Sequence, residues 1–157
     1  YALPVAIIRC GNIFGGGDLN YSRIVPSTIK SFLKNEAPVI RSDGRFVRDY
    51  IYVKDVCSAY LLVAQHLQEK KLMGQAFNCS NEAPLTVLEI VKAVAQITGC
   101  AHLKPKVFNQ VFGEIRAQYL SATKIRRLLK WKPQYDLIKG LEETVEWYRA
   151  HINKSIS

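Results

Sequence analysis

The sequence predicts an α/β fold, because short strand-like runs alternate with segments of helical periodicity along the chain. The run from Pro4 to Cys10 is apolar and rich in β-branched residues, which is typical of a strand buried on both faces of a parallel sheet. The segment from Val56 to Gln68 carries a broad apolar stripe at helical spacing. A capping box formed by Thr86 and Glu89 predicts another helix, which ends at Gly99.

The other elements are predicted from local spacing and from turn residues. Asp136 is expected to cap the last helix, whose apolar ridge would face the core, and Trp131 and Trp147 are expected to pack there too. The expected elements are a helix over 22–33 with Pro26 near its start, strands at 39–41 and 75–79, an extended stretch at 106–108, and a helix over 122–130 capped by Ser121.

Length and composition fit one globular domain. The chain has 157 residues, of which 48% are hydrophobic, so it can bury a core. No apolar run approaches the roughly 18 residues that a membrane span needs, and we expect no membrane partner. The start, from Tyr1 to Pro4, has no basic leader and no initiator Met. We therefore expect a cytoplasmic protein and interpret the chain as a piece of a longer one.

The four cysteines are widely spaced along the chain, and none forms a C-x-x-C pair. The three histidines do not add a recognisable metal-ligand spacing, so we expect no metal. Reduced, buried thiols in a cytosolic protein are the interpretation that the spacing favours. The cysteines are Cys10, Cys57, Cys79 and Cys100.

The formal net charge of +9 suggests an anionic partner. Lys and Arg concentrate at 104–106, at 124–132 and in the tail. Nucleic-acid binding is one interpretation; a solvated basic face, or attraction for an anionic small substrate, is the other. Basic and aromatic residues do not interleave and no helix-turn-helix spacing is present, so we expect no nucleic acid.

The stretch from Ser42 to Val56, SDGRFVRDYIYVKDV, combines three local signals. Asp43-Gly44 predicts a turn, the following residues predict a short strand, and Asp55 is placed to cap the helix that begins at Val56. A guanidinium on a short strand, such as that of Arg48, can hold a phosphate or carboxylate through two parallel hydrogen bonds. The alternative is that Arg48 and Asp49 are ordinary surface charges.

A glycine-rich loop follows the first strand. It reads GNIFGGGD from Gly11 to Asp18, and its three consecutive glycines permit unusual backbone angles and close approach of a ligand. Loops at the carboxyl ends of parallel strands are where open α/β sheets bind ligands. The loop has neither the G-x-G-x-x-G pattern nor a Walker lysine, so it does not form a phosphate cradle by itself.

The order of these pieces resembles the C-terminal half of the extended short-chain dehydrogenase/reductases that act on nucleotide-diphosphate sugars. Three stretches carry the resemblance: RCGNIFGGGD at 9–18, DGRFVRDYIYVKDV at 43–56, and QYLSATKIRRLLKWKP, which leads into GLEETVEWYR at 140–149. Within that family, GNIFGGGD and EIRAQYLSATKI are most similar to the CDP-glucose 4,6-dehydratase group. The stretch VRDYIYVKDV is shared with dTDP-glucose dehydratases and UDP-sugar epimerases.

The resemblance implies a set of substrate-binding residues. Arg48 matches an arginine that contacts the nucleotide diphosphate, and Arg116 lies where a second such arginine is expected. Asn12 matches an asparagine that touches substrate near the sugar and phosphate. Ile24, with Pro26, aligns with the segment over the nucleotide base, and the strand beside that segment carries Ile40 and Arg41. Asp49 and Asp55 are expected to be structural. The alternatives are that Arg48 pairs with a nearby acid, that Arg116 is a surface charge and that Asn12 caps its own loop.

The resemblance also implies NAD as cofactor and a nucleotide-diphosphate sugar as substrate. We expect the family's G-x-x-G-x-x-G loop and its catalytic Y-x-x-x-K, with their Ser or Thr partner, to lie upstream of Tyr1. The expected fold is then late strands of a Rossmann-type sheet plus the smaller C-terminal lobe, over residues 1–157, with no catalytic residue. The parent protein is expected to be a homodimeric, NAD-dependent CDP-glucose-type 4,6-dehydratase. The alternatives are a 4-epimerase and a non-catalytic sugar-nucleotide-binding fragment.

Overall fold

A computed structural model describes residues 3–68, 72–110 and 113–152. Helices and short strands alternate along this part of the chain, as the sequence predicts. The strands are β1 (Ile7–Cys10), β2 (Asn12–Phe14), β3 (Val39–Ile40), β4 (Val47–Tyr52), β5 (Ala76–Cys79), β6 (Pro84–Thr86), β7 (Lys106–Val107) and β8 (Ala117–Gln118). The helices are α1 (Ile24–Leu33), α2 (Val53–Gln65), α3 (Val87–Thr98), α4 (Thr123–Leu129) and α5 (Leu137–Ile152).

The strands form three small sheets, and most of the pairs are parallel. β1 pairs in parallel with β5, with Ile7 opposite Ala76. β4 is the centre of the second sheet, where it lies parallel to β2 and β8 and antiparallel to β6. β3 pairs in parallel with β7. Parallel pairs joined through helices are the topology that an alternating α/β sequence predicts.

Two apolar clusters form the core. The larger one packs α1, α3 and α5 against the second sheet, and Ile29, Ile90 and Tyr148 are among its fully enclosed side chains. The predicted ridge of the last helix lies in this cluster, where Leu141 and Val145 are buried. The smaller cluster joins β1, β5, α2 and α4; it contains Trp131, whose indole N–H donates to the Ser58 hydroxyl.

Three helix boundaries confirm their sequence signals. Thr86 accepts a hydrogen bond from the backbone of Glu89, and the Glu89 carboxylate accepts from the Thr86 backbone, which completes the predicted capping box. Gly99 ends that helix with a left-handed φ of 75°. Asp136 caps α5 by accepting from the backbone N–H of Lys139 at 2.8 Å.

Two predicted caps are wrong. Helix α2 begins at Val53, directly after β4, so Asp55 lies inside its first turn. The buried Asp55 carboxylate instead accepts from the backbone N–H groups of Gln134 and Tyr135, which fixes the chain just before α5. At α4 the capping position is Ala122, one residue beyond Ser121, and the carboxylate of Glu82 accepts the Ala122 N–H at 2.7 Å.

Burial at β1 and at the cysteines also differs from prediction. Strand β1 is covered on one face only: Ile8 packs against the smaller cluster, while Ile7 is 52% exposed. Among the described strands β1 has only β5 as its partner, so its other edge is unpaired. The four thiols are free, but only Cys79 is buried, and Cys57 is exposed on the outer side of α2. Within the described residues, no helix combines the length and apolar character needed to cross a membrane.

Candidate functional site

The glycine-rich loop is held by protein contacts. A Cβ on Gly15 would lie 2.4 Å from a methyl of Val53, and one on Gly16 would lie 2.5 Å from the Trp147 ring. The Tyr148 hydroxyl donates to the backbone carbonyl of Asp18 and secures the end of the loop. Among the glycines of this loop, only Gly17 has a left-handed backbone conformation that favours glycine, with φ of 89°. Gly15 and Gly16 are therefore small because other side chains occupy the space beside them, and the expected close approach of a ligand does not apply to them.

A cavity of about 350 Å³ opens next to this loop. Asn12, the first residue of β2, lines it and lies opposite Tyr50 in the pairing with β4. Ile24 and Pro26, at the start of α1, form another wall. An ion pair between Arg23 and Asp18, at 3.2 Å, also borders the cavity. The cavity thus combines an apolar wall, an amide and a cation, which suits a partly polar ligand that carries negative charge.

A second cavity, of about 380 Å³, lies on the other side of α1 and shares Ile24 with the first. Ile40 and Arg41 line it, and the Arg41 guanidinium donates to the Ser22 carbonyl at 3.1 Å. Glu114 approaches from the segment before β8. The structure therefore brings four of the predicted substrate-binding residues to two adjoining cavities. They are Asn12, Ile24, Ile40 and Arg41.

Arg48 contacts Glu114, a residue that lines the second cavity, and does not pair with Asp49. Its guanidinium donates to the carbonyl of Val47 at 2.9 Å and lies 3.7 Å from the Glu114 carboxylate. The Arg48 side chain is 15% exposed, whereas that of Glu114 is 54% exposed. A loose pair with an exposed carboxylate contributes little to stability, so an anionic ligand can replace Glu114 at the guanidinium. Arg48 is consequently placed to bind an anion next to Glu114, which lines the second cavity.

Arg116 is exposed, and its contact with the site is made through its backbone. The Val47 N–H donates to the Arg116 carbonyl at 2.8 Å, and the following strand, β8, pairs with β4 so that Gln118 lies opposite Arg48. The fold therefore places the backbones of the two arginines on neighbouring strands. The Arg116 side chain does not border either of the two cavities.

Three features of the site were not predicted from sequence. They are the Arg23–Asp18 pair, Glu114 and the buried Tyr50. Asp18 and Arg23 lie five residues apart around an Asn-Tyr-Ser turn, a spacing that no helix or strand rule singles out. Tyr50 belongs to the strand motif, but alternation shows only that it shares a face with Arg48. Its burial depends on helices that are distant in sequence.

Two segments have the Y-x-x-x-K spacing that we expected only upstream of the chain. Tyr50 and Lys54 form one, but Tyr50 is in a strand and Lys54 is in a helix, where it pairs with Glu143 at 2.6 Å. Tyr135 and Lys139 form the other, and there the ammonium lies over the Tyr135 ring at 4.7 Å. Burial raises the pKa of Tyr50 to about 12, which is unfavourable for a tyrosine that must exchange a proton. Neither pair has the arrangement of a catalytic site.

Asp49 lies behind the site, on the face of β4 opposite Arg48 and Tyr50. Its carboxylate is 1% exposed and accepts hydrogen bonds from the Ser80 hydroxyl and from the Leu120 N–H. Burial raises the pKa of Asp49, and the bond from Ser80 opposes that shift. Asp49 thus fixes the segments around Ser80 and Leu120 to the strand that carries Arg48, as expected for a structural residue.

The described residues do not provide a dinucleotide cradle. The sequence has no G-x-x-G-x-x-G, and β1 leads through Gly11 to another strand instead of opening a helix. The spaces beside Gly15 and Gly16 are filled by Val53 and Trp147, so these glycines do not leave their backbone open to a pyrophosphate. NAD therefore does not fit this part of the chain, and the cavities here suit a substrate.

Solved structures of sugar-nucleotide enzymes share this fold. UDP-glucose 4-epimerase from Thermotoga maritima, crystallised with UDP-glucose, superposes with a TM-score of 0.84 at 31% identity and covers 94% of this chain. dTDP-glucose 4,6-dehydratase from Bacillus anthracis, in complex with NAD, has a TM-score of 0.84 at 28% identity and covers 100% of this chain. The fold is therefore α/β, of the Rossmann type found in extended short-chain dehydrogenase/reductases.

A family model described as "NAD dependent epimerase/dehydratase family" matches residues 1–80. The chain belongs to this family. A curated relative, UDP-N-acetyl-alpha-D-glucosaminuronate decarboxylase from Bacillus cytotoxicus, is 27% identical over 154 residues and covers 94% of this chain. Relatives thus include an epimerase, a dehydratase and a decarboxylase of sugar nucleotides.

The chain spans about half the length of these proteins. The matches cover 47% of the decarboxylase, 46% of the epimerase chain and 49% of the dehydratase chain.

Proposed function

We propose that this chain is the substrate-binding portion of an NAD-dependent enzyme that acts on a nucleotide-diphosphate sugar. Two adjoining cavities that share Ile24 support this assignment, together with Arg48, which lies 3.7 Å from Glu114 in the lining of the second cavity. A nucleotide-diphosphate sugar has a flat base, a doubly charged diphosphate and a polar sugar. An apolar wall, an arginine and an amide would satisfy these three parts in turn.

The proposed roles follow this division of the ligand. Ile24 and Ile40 would contact the base, Arg41 would lie beside it, and Asn12 would contact the sugar and the adjoining phosphate. Arg48 would bind the diphosphate after releasing Glu114. Arg116 would join it if its exposed side chain turns toward Arg48 when ligand binds. No residue of this chain is assigned to the chemical step, and the parent protein would hold NAD through residues outside it.

For the reaction we propose 4,6-dehydration of CDP-glucose by the parent protein. The stretches GNIFGGGD and EIRAQYLSATKI support this choice. The second candidate is 4-epimerisation of a UDP-sugar, which the 31% identity to the Thermotoga epimerase favours. The cytoplasmic location and the homodimeric state of the parent protein stay predictions.

Titration of the chain with CDP, UDP and dTDP tests the binding proposal. We expect the wild-type chain to bind nucleoside diphosphates and Arg48→Ala to weaken binding roughly tenfold to a hundredfold, because a hydrogen bond to a charged group contributes about 1.5–3 kcal/mol. Arg45→Ala is the matched control, since Arg45 is exposed in the same stretch and borders neither cavity. Equal losses for the two variants, or no binding by the wild type, would contradict the proposal.

The preferred nucleotide separates the two candidate reactions. Tighter binding of CDP than of UDP and dTDP supports the CDP-glucose type, and a preference for UDP supports the epimerase. Turnover of a sugar nucleotide by the chain with added NAD would show that the catalytic groups are present, against our assignment. Steeply salt-dependent DNA or RNA binding without nucleotide binding would instead favour a nucleic-acid-binding domain.

A further inference from the structure

Tyr50 presents a buried hydroxyl that has no internal partner. The residue is 3% exposed, and its Oη forms no hydrogen bond with the residues that the structure describes. Tyr50 borders the first cavity and lies opposite Asn12 in the β2–β4 pairing. Leaving a buried hydroxyl unpaired costs free energy, and such groups in folded proteins call for an explanation.

Packing does not explain the hydroxyl. The Tyr50 ring belongs to the larger apolar cluster, where its neighbours in the core are aromatic and aliphatic side chains. Phenylalanine would supply the same ring without an unpaired polar atom. Tyr52, two residues further along the strand, differs because its hydroxyl donates to Glu143 at 2.7 Å.

The charge next to Tyr50 indicates what the hydroxyl could bind. Arg48 lies on the same face of the strand, and its positive charge acts on the Tyr50 phenol. Burial raises the pKa of Tyr50 to about 12, so the phenol is protonated at neutral pH and can donate. A guanidinium and a phenol therefore lie close together as two donors, and an oxyanion can accept from both.

We propose that the Tyr50 hydroxyl is a second donor to the diphosphate of the ligand, adjacent to Arg48. This inference rests on the proposed function and adds a residue to the same site. The hydroxyl is enclosed in the free chain, so the ligand would reach it through the first cavity, which Tyr50 borders. Tyr50 would then contribute to affinity for the diphosphate and little to affinity for the nucleoside alone.

The test compares Tyr50→Phe with Tyr52→Phe. For each variant, the affinities for UDP, dTDP and CDP and for the matching nucleosides are measured, and urea unfolding gives the stability. For Tyr50→Phe we expect affinity for the bound nucleoside diphosphate to fall on the order of tenfold, with nucleoside affinity and stability maintained. For Tyr52→Phe we expect the reverse: lower stability, since Glu143 loses a donor, and unchanged nucleotide affinity. A loss of diphosphate affinity in Tyr50→Phe, with a loss of stability only in Tyr52→Phe, would identify the Tyr50 hydroxyl as a ligand contact.

Three outcomes would overturn the inference. Equal diphosphate affinity for Tyr50→Phe and wild type would show that the hydroxyl does not reach the ligand, although the proposed function would stand. A loss of stability in Tyr50→Phe would show that the hydroxyl is paired within the folded chain. Failure of the wild-type chain to bind any of the three nucleoside diphosphates would reject the proposed function and this inference together.

Discussion

Asp49 is a structural residue in a strand whose other face carries candidate ligand-binding side chains. It lies between Arg48 and Tyr50 in sequence, but the alternation of a strand turns its carboxylate to the opposite face. There it accepts from Ser80 and Leu120, while its Oδ1 has no hydrogen-bond partner among the described residues. A carboxylate that is buried and incompletely paired is more costly when charged, which is the reason that its pKa is raised.

This environment makes the stability of the chain depend on pH. Because the folded-state pKa of Asp49 lies above its ordinary value of 3.8, the folded chain binds the proton more readily than the unfolded chain. The wild type should therefore gain stability relative to Asp49→Asn as pH falls through the folded-state pKa, and the gain should be complete below 3.8. Urea unfolding of both proteins over this range measures the difference; a difference that does not vary with pH would contradict the assignment.

Among the elements, α4 depends on a cap from elsewhere in the chain. Its capping position is Ala122, which has no side-chain acceptor. The Ser121 hydroxyl accepts the Thr123 N–H at 3.3 Å, and Glu82, in the turn after β5, accepts the Ala122 N–H at 2.7 Å. The same carboxylate accepts from the Ser121 hydroxyl at 3.1 Å and pairs with Arg126 at 2.6 Å. Glu82 holds an unusual φ of 56° while it makes these contacts. The cap therefore links the β5–β6 turn to α4 and to the segment between β8 and α4.

Glu82→Ala should destabilise the chain by about 1–2 kcal/mol, because an N-cap acceptor and an ion pair are lost together. Glu82→Gln should cost less, since its side-chain oxygen can still accept from Ala122. Chemical unfolding gives the two values, and Glu142→Ala, an exposed glutamate on α5, is the control that should change stability little. Equal effects of the Ala and Gln variants would indicate that the charge of Glu82 matters and that the cap does not.

For the whole molecule, the uncovered face of β1 is an exposed apolar surface. Leu3 and Val5, which precede β1, and Ile7, its first residue, are 72%, 50% and 52% exposed. A strand with an unpaired edge and an apolar face favours association with another chain. We expect the 157-residue chain to self-associate as its concentration rises, and Ile7→Lys to reduce this association. Sedimentation velocity measures it, and Ile138→Lys on α5 is the control that should leave it unchanged.

The elements could be predicted because their signals are local. The capping box at Thr86, the stop at Gly99 and the Asp136 cap involve residues within a few positions of one another. The prediction was wrong where the deciding contact is distant. Asp55 accepts a hydrogen bond from the backbone of Gln134, and Glu82 accepts one from the residue that caps α4. Residues so far apart in sequence produce no helical or strand periodicity from which the contact could be predicted.

The candidate site was predictable only in part, because some of its residues are brought together by contacts that are distant in sequence. Resemblance to a family selected six residues, and the fold brings four of them to two adjoining cavities, although their spacing in sequence has no regular period. Glu114 and Arg23 were missed because an isolated charge in a loop carries no local signal. The expected role of Gly15 and Gly16 was wrong because Trp147, which fills the space beside the loop, belongs to the last helix.

The pairing of β1 with β5 has a consequence for the speed of folding. Ile7 pairs with Ala76, and the residues that line the first cavity, with most of those that line the second, lie between them in sequence. A parallel pair of this kind must close a long loop before its hydrogen bonds are gained, and such pairing of distant segments slows folding. The contacts within the loop, including the β2–β4 pair that presents Asn12 and Arg48, span shorter separations and can form earlier. The binding lobe would then be ordered before the sheet that supports it is closed.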